Sequence, residues 1–113
     1  MGRERTISTH VLDTSIGRPA SGVAVTLLRQ QGAAWIEAFA GDTDADGRVP
    51  ALRDVSADAG SWRLTFDAGS YFHRRGLESF YTVVTVDFVL RADGHHHVPL
   101  LISPFGYSTY RGS

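Results

Sequence analysis

Apolar and polar residues alternate along most of the chain with a period of two. Ile7, Thr9 and Val11 alternate with Ser8, His10 and Leu12, the signature of a strand with one face in a core. Gly17-Arg18-Pro19 breaks the pattern. Residues 22–29, rich in Val and Leu, predict a second strand. Residues 34–40 predict a third, with Trp35 and Phe39 on one face. Asp42-Thr43-Asp44-Ala45-Asp46-Gly47 reads as a turn, followed by a short segment over 48–52 and a loop over 54–60. Trp62, Leu64 and Phe66 alternate with Arg63 and Thr65 in a further strand. The period changes over 67–76: Asp67 is an N-cap, Tyr71, Phe72 and Arg75 suit helical spacing, and Gly76 is a stop. One short helix is predicted there. Residues 81–90 form a long β-branched strand, 91–94 a turn and 95–102 the next strand. Ser103-Pro104 is a break, and 106–112 the last strand.

About eight strands at regular spacing with one short helix predict an all-β protein, an antiparallel β-sandwich. No repeat, linker or second domain is visible. Residues 1–113 are therefore read as a single domain, a common size for one core. A composition of 42% hydrophobic residues can fill that core, and no segment is long and apolar enough to span a membrane. The net charge of −1 argues against nucleic acid as a partner.

Composition narrows the chemistry further. The chain has no cysteine, which removes disulfides, thiolate catalysis and Cys-bound metals, and fits a reducing cytoplasm. All eleven basic residues are arginine, so Schiff-base chemistry and a lysine base are excluded. Met1-Gly2-Arg3-Glu4-Arg5 has no apolar run behind it, and no signal peptide is expected. Gly2 with Thr6 fits a short myristoylation pattern, read here as chance.

Three constellations carry candidate chemistry. Asp42, Asp44, Asp46 and Gly47 look like the start of an EF-hand loop, but its twelfth position is Arg53, where calcium requires a carboxylate. These residues are read as turn chemistry. In His95-His96-His97, His95 and His97 project to one face and His96 to the other. That spacing can bind zinc, with His10 as a third ligand, but no carboxylate accompanies it. Third, strand parity turns His97 away from the core with His95 and Pro99, and turns His10 outward from the first strand. Arg48 follows the acidic turn directly. An outer sheet face becomes a cleft when another subunit covers it. Beyond the apolar run Val98–Ile102, the sequence ends in Tyr110-Arg111-Gly112-Ser113, polar groups that a last strand can deliver to a site.

Several of these blocks resemble the transthyretin-like hydrolases. Ile7-Ser8-Thr9-His10-Val11-Leu12-Asp13-Thr14 with Gly17-Arg18-Pro19-Ala20 is similar to that family's N-terminal signature. So are Asp46-Gly47-Arg48, His97-Val98-Pro99-Leu100-Leu101, Ser103-Pro104 and Tyr107-Ser108-Thr109-Tyr110-Arg111-Gly112-Ser113. The family is that of the 5-hydroxyisourate hydrolases of urate breakdown. The resemblance implies two four-stranded sheets with one short helix, and a homotetramer with sites where dimers meet. It implies hydrolysis of a cyclic amide in 5-hydroxyisourate to 2-oxo-4-hydroxy-4-carboxy-5-ureidoimidazoline, with neither metal nor cofactor. Carried over by motif, the catalytic residues are His10, Arg48 and His97, and the substrate-binding residues Tyr110, Arg111, Gly112 and Ser113. Either His97 or His10 would activate water, and Arg48 would clamp a carbonyl or anion. The alternative is a transthyretin-like carrier of a small ligand without catalysis. Two departures stand out: Phe80-Tyr81-Thr82 where the family often has proline after an aromatic pair, and His96 where an aromatic is common.

Overall fold

Burial follows the alternation closely enough to build two sheets around one core. The computed structural model describes residues 5–113, so the readings made on Met1 and Gly2 lie outside the described residues. In chain order the strands are β1 (Arg5–Asp13), β2 (Arg18–Pro19), β3 (Ala24–Gln31), β4 (Ala34–Asp42), β5 (Gly60–Phe66), β6 (Val84–Leu90), β7 (Gly94–Ser103) and β8 (Gly106–Thr109). The helix α1 (Ala68–Arg74) follows β5. One sheet has the order β2-β1-β7-β8 and the other β4-β3-β5-β6. The expected sandwich of two four-stranded sheets with one short helix is therefore present. Ile7, Val11, Leu27, Leu64, Phe66 and Leu100 are among the residues sealed between the sheets.

Pairings β1–β2, β3–β4, β3–β5, β5–β6 and β7–β8 are antiparallel. The β1–β7 pair is parallel, which the sequence did not anticipate. Its register sets Thr6 beside His95, Ser8 beside His97 and His10 beside Pro99. Like-facing residues of the two strands thus share one side of the sheet.

Other differences have local causes. Arg18 and Pro19 are not only a break, because they pair with Asp13 and Leu12 as an edge strand. Trp35 and Phe39 do not share a face. Leu27 pairs with Phe39 but Leu28 with Glu37, leaving Ala38 as the extra residue of a bulge that reverses parity. Phe39 accordingly packs on the core, while Trp35 lies outside under the Arg63 guanidinium, 4.0 Å from its ring centre. The segment after Gly47 closes as a 3-10 turn (Pro50–Asp54) that buries Leu52. Strand β6 starts only at Val84: the Gly69 amide donates to Thr82 and the Phe80 amide to Pro104, so this stretch serves the helix and a loop rather than a ladder.

The helix begins and ends as its sequence predicts. Asp67 Oδ1 accepts from the Ser70 amide at 3.1 Å, and Gly76 leaves the last turn at φ 74°. Asp13, fully buried on β1, holds the helix down. Its Oδ2 accepts from the Tyr71 hydroxyl at 2.8 Å and from Arg75 Nη1 at 2.7 Å.

Candidate active site

The site grows out of the outer face of β1 and β7. On β1 the core takes Ile7, Thr9 and Val11, which leaves Ser8 and His10 on the other side. On β7 it takes His96, Val98, Leu100 and Ile102, which leaves His95, His97 and Pro99. The parity expected for His10, His95 and His97 is the parity found.

The acidic turn carries Arg48 to this face. Asp44 Oδ1 accepts from the Asp46 amide at 2.9 Å and the Arg48 amide at 3.0 Å, which is the turn role read for it. Gly47 then passes its carbonyl to the Val11 amide at 2.8 Å, and Arg48 bridges to His10 across the gap. Only glycine fits at position 47. Its φ is 76°, and a Cβ there would lie 2.4 Å from the Val11 carbonyl oxygen and 3.3 Å from His10 Cδ2.

The other end of the site comes from the tail. The β7–β8 ladder lapses after Leu100–Thr109 and resumes at His97–Gly112 in the same register. Pro99 explains the gap, because it has no amide to donate toward the tail. Its carbonyl accepts instead from Thr109 Oγ1 at 2.6 Å. The Gly112 amide then donates to the His97 carbonyl at 2.9 Å.

These elements enclose a cleft of about 290 Å³ lined by Ser8, Arg48, Arg53, His95, His97 and Ser113. Ser8 Oγ lies 2.7 Å from His97 Nδ1 and 2.7 Å from His95 Nε2. Thr6 Oγ1 lies 2.7 Å from His95 Nδ1. The His97 nitrogen left for chemistry is therefore Nε2. Burial is the main influence pushing His97 below its ordinary imidazole pKa, with the neighbouring Arg48, His10, His95 and Arg53 acting the same way. His95 is lowered by burial first, then by Arg53 and His96. Both rings are thus biased toward the neutral form.

Such a cleft suits a carbonyl or an anion better than a cation. Its lining offers two guanidinium groups and no Asp or Glu side chain. Both His95 nitrogens already meet hydroxyls, so His95 has no free nitrogen for the zinc arrangement considered for His95, His97 and His10. A larger open depression of about 600 Å³ beside α1, lined by residues such as Asp67, His73 and Glu78, contains none of the candidate residues. It lacks the convergence of perturbed histidines and arginines seen here.

The structure brings together His97, Arg48 and Ser113, with His10 bridged to Arg48 and Gly112 packed on His97. Tyr110 and Arg111 instead line a neighbouring cleft of about 160 Å³ with Val86, Phe88 and His96. His97 borders both clefts. Sequence reasoning missed Ser8, Thr6 and Arg53, and treated His95 only as a metal ligand. Parity on the first strand could have flagged Ser8, which faces the same way as His10. Nothing in the sequence positions Arg53, which reaches the cleft from the 3-10 turn.

A two-sheet sandwich with one short helix and a cationic histidine cleft on an outer sheet face defines a transthyretin-like protein of the hydrolytic kind. The chain belongs to the HIUase/Transthyretin family, whose sequence model matches residues 7–112. It is 42% identical to a 5-hydroxyisourate hydrolase 2 of Rhizobium meliloti over the whole of both chains. The solved 5-hydroxyisourate hydrolase of Klebsiella pneumoniae superposes with a TM-score of 0.85 at 42% identity, covering 96% of this chain and 99% of that one. Transthyretin from Sparus aurata gives a TM-score of 0.87 at 30% identity, over 94% of this chain and 95% of its own. The sandwich is equally close to both; the sequence is nearer the hydrolases.

Proposed function

We propose that this protein is a 5-hydroxyisourate hydrolase, opening the six-membered ring at a cyclic amide to give 2-oxo-4-hydroxy-4-carboxy-5-ureidoimidazoline. The observation that carries the reading is the meeting of a neutral-biased His97 with Arg48 in one cleft, in a chain 42% identical to a hydrolase of that name along its full length. A carrier has no use for an imidazole kept unprotonated beside a guanidinium.

His97 is the general base. Its Nε2 takes a proton from water, the water oxygen bonds to the amide carbon, and electron density moves onto the carbonyl oxygen. Arg48 stabilises that oxyanion with charge and paired donors, and His10 supports it from the adjoining strand. When the C–N bond breaks, the departing nitrogen takes a proton from the imidazolium. Orientation and charge stabilisation supply most of the rate. Ser113 donates to the ring from the same cleft, and Gly112 lets the tail approach His97.

Tyr110 and Arg111 complete the substrate pocket in the assembly rather than within one subunit. The outer face of β2-β1-β7-β8 is open in a single chain. A homotetramer in which dimers meet on this face would turn the open cleft into a closed one. The absence of cysteine fits a reducing compartment, and the enzyme is assigned to the cytoplasm. Among the described residues no helix is long and apolar enough to cross a membrane.

The test is the decay of freshly generated 5-hydroxyisourate, followed by absorbance with and without protein. Accelerated decay supports the hydrolase. Unchanged decay, with a small ligand bound stoichiometrically, favours the carrier.

A further inference from the structure

Beside His97, along the wall of the cleft, runs a hydrogen-bonded chain that the hydrolytic steps above do not use. It runs His97 Nδ1, Ser8 Oγ, His95 Nε2, then across the ring to His95 Nδ1 and Thr6 Oγ1, with each of the three contacts at 2.7 Å. The parallel register creates it, since β1 and β7 set Ser8 beside His97 and Thr6 beside His95. Its two Ser8 contacts are partly buried, whereas the Thr6–His95 contact is exposed. The chain therefore leads from the cleft to solvent.

We infer that Thr6, Ser8 and His95 form a proton relay that drains His97 during turnover, an inference that rests on the hydrolase reading above. The chain has two complete arrangements. In the first, His97 Nδ1–H donates to Ser8, the Ser8 hydroxyl donates to His95 Nε2, and His95 Nδ1–H donates to Thr6. His97 Nε2 then carries a lone pair, ready to accept a proton from water. In the second, every bond is reversed: Thr6 donates to His95 Nδ1, His95 Nε2–H donates to Ser8, and Ser8 donates to His97 Nδ1. His97 Nε2 now carries the proton. Each hydroxyl both donates and accepts, and each ring is neutral in both arrangements. No hydrogen bond is lost in passing between them.

The reaction generates a proton that such a path can carry away. Hydrolysis of a neutral cyclic amide forms one C–O bond and breaks one C–N bond. The products are a carboxylic acid, ionised at neutral pH, and a ureide nitrogen too weakly basic to hold an extra proton. One proton per turnover must leave the site. The first water proton goes from His97 Nε2 to the departing nitrogen; the second, left on the new carboxylic acid, then enters at Nε2, and Nδ1 passes its own proton to Ser8. Ser8 passes its hydroxyl proton to His95 Nε2, His95 Nδ1 passes one to Thr6, and the Thr6 hydroxyl releases one to water; once product has left, Nε2 gives its proton to water entering the cleft while Thr6 takes one up, which restores the first arrangement. Burial first, and then the neighbouring groups, favour neutral rings. Arg53 on the 3-10 turn and His96 on β7 act on His95, while Arg48, His10, His95 and Arg53 act on His97. Ser8 and His95 are positioning and relay residues, since neither touches the reacting carbon in this scheme.

His95→Gln is the informative variant. Glutamine can still donate and accept toward Ser8 and Thr6, so it preserves the architecture, but it does not relay a proton between two ring nitrogens. In the wild type, kcat at neutral pH should be independent of buffer concentration. In His95→Gln, kcat should fall about tenfold with KM changed less than about twofold, and added imidazole should restore most of it. Ser8→Ala should lose kcat similarly and Ser8→Thr should recover it. If Ser8→Ala fails to fold, His95→Gln alone decides. Wild-type kcat in His95→Gln, or a loss that imidazole does not restore, overturns the relay. An inactive wild type would instead overturn the hydrolase reading, so the two failures are distinguishable.

Discussion

Gly112 lies against the edge of the His97 imidazole, so close that a Cβ on it would sit 2.5 Å from His97 Cδ2. The glycine is there because the tail must come back onto the histidine, and its amide holds the His97 carbonyl as it does so. Gly112→Ala would push either the ring or the tail aside. A displacement on the order of 1 Å at a reacting group costs about 10²-fold. We expect kcat/KM for 5-hydroxyisourate to fall roughly 10–100-fold while the melting temperature barely moves, since the tail adds little to the core. An unaffected rate would show that the tail contact does not position His97.

Gly47 plays the matching part for His10, with backbone strain added. Its φ is 76°, and a methyl group there would meet the Val11 carbonyl oxygen at 2.4 Å. Gly47→Ala should therefore destabilise the fold by about 1–3 kcal/mol. The activity that remains should be lower per folded molecule, because the Arg48 bridge to His10 starts at this turn. Urea melts combined with active-site titration separate the two effects.

How much of this was legible in the sequence depends on what kind of information each feature needed. His10 and His97 could be placed on outer faces because parity is local, and Ile7, Val11, Val98 and Leu100 declare which side is the core. The helix was legible because Asp67 and Gly76 mark its ends chemically. Trp35 and Phe39 were misplaced because a single bulge residue, Ala38, reverses parity without any signature of its own. The Ser8–His97 and Thr6–His95 contacts were hidden for another reason. They depend on a parallel register between residues nearly ninety positions apart, which no local pattern encodes. Arg53 belongs to the same group, placed only by the 3-10 turn.

The pH profile follows from the direction of the His97 shift. Burial, then Arg48, His10, His95 and Arg53, lower its pKa, and the proposed mechanism uses the neutral ring. Activity should therefore be full at neutral pH and be lost as pH falls through a value below that of an ordinary histidine. Arg53→Gln removes one of the charges that lower it, so the acid limb should move to higher pH. A limb unmoved, or moved lower, in the kcat/KM profile would contradict the electrostatic assignment.

Asp13 supports the site from below by tying α1 to β1. Fully buried, it accepts from Tyr71, Arg75 and the Ser15 amide. Asp13→Ala leaves a buried hydroxyl and a guanidinium without their acceptor, at a cost of about 2–4 kcal/mol. Urea denaturation should show this as a lower midpoint with little change in slope, and the native fraction should still turn over substrate.

The central claim is that His97, with Arg48 beside it, hydrolyses 5-hydroxyisourate. The most direct measurement is kcat/KM on freshly generated substrate for the wild type and for His97→Ala, both shown to be folded. Wild-type protein should accelerate the decay, and the variant should be slower by about 10²–10⁴-fold, the usual contribution of a general base. Equal rates for the two proteins would contradict it.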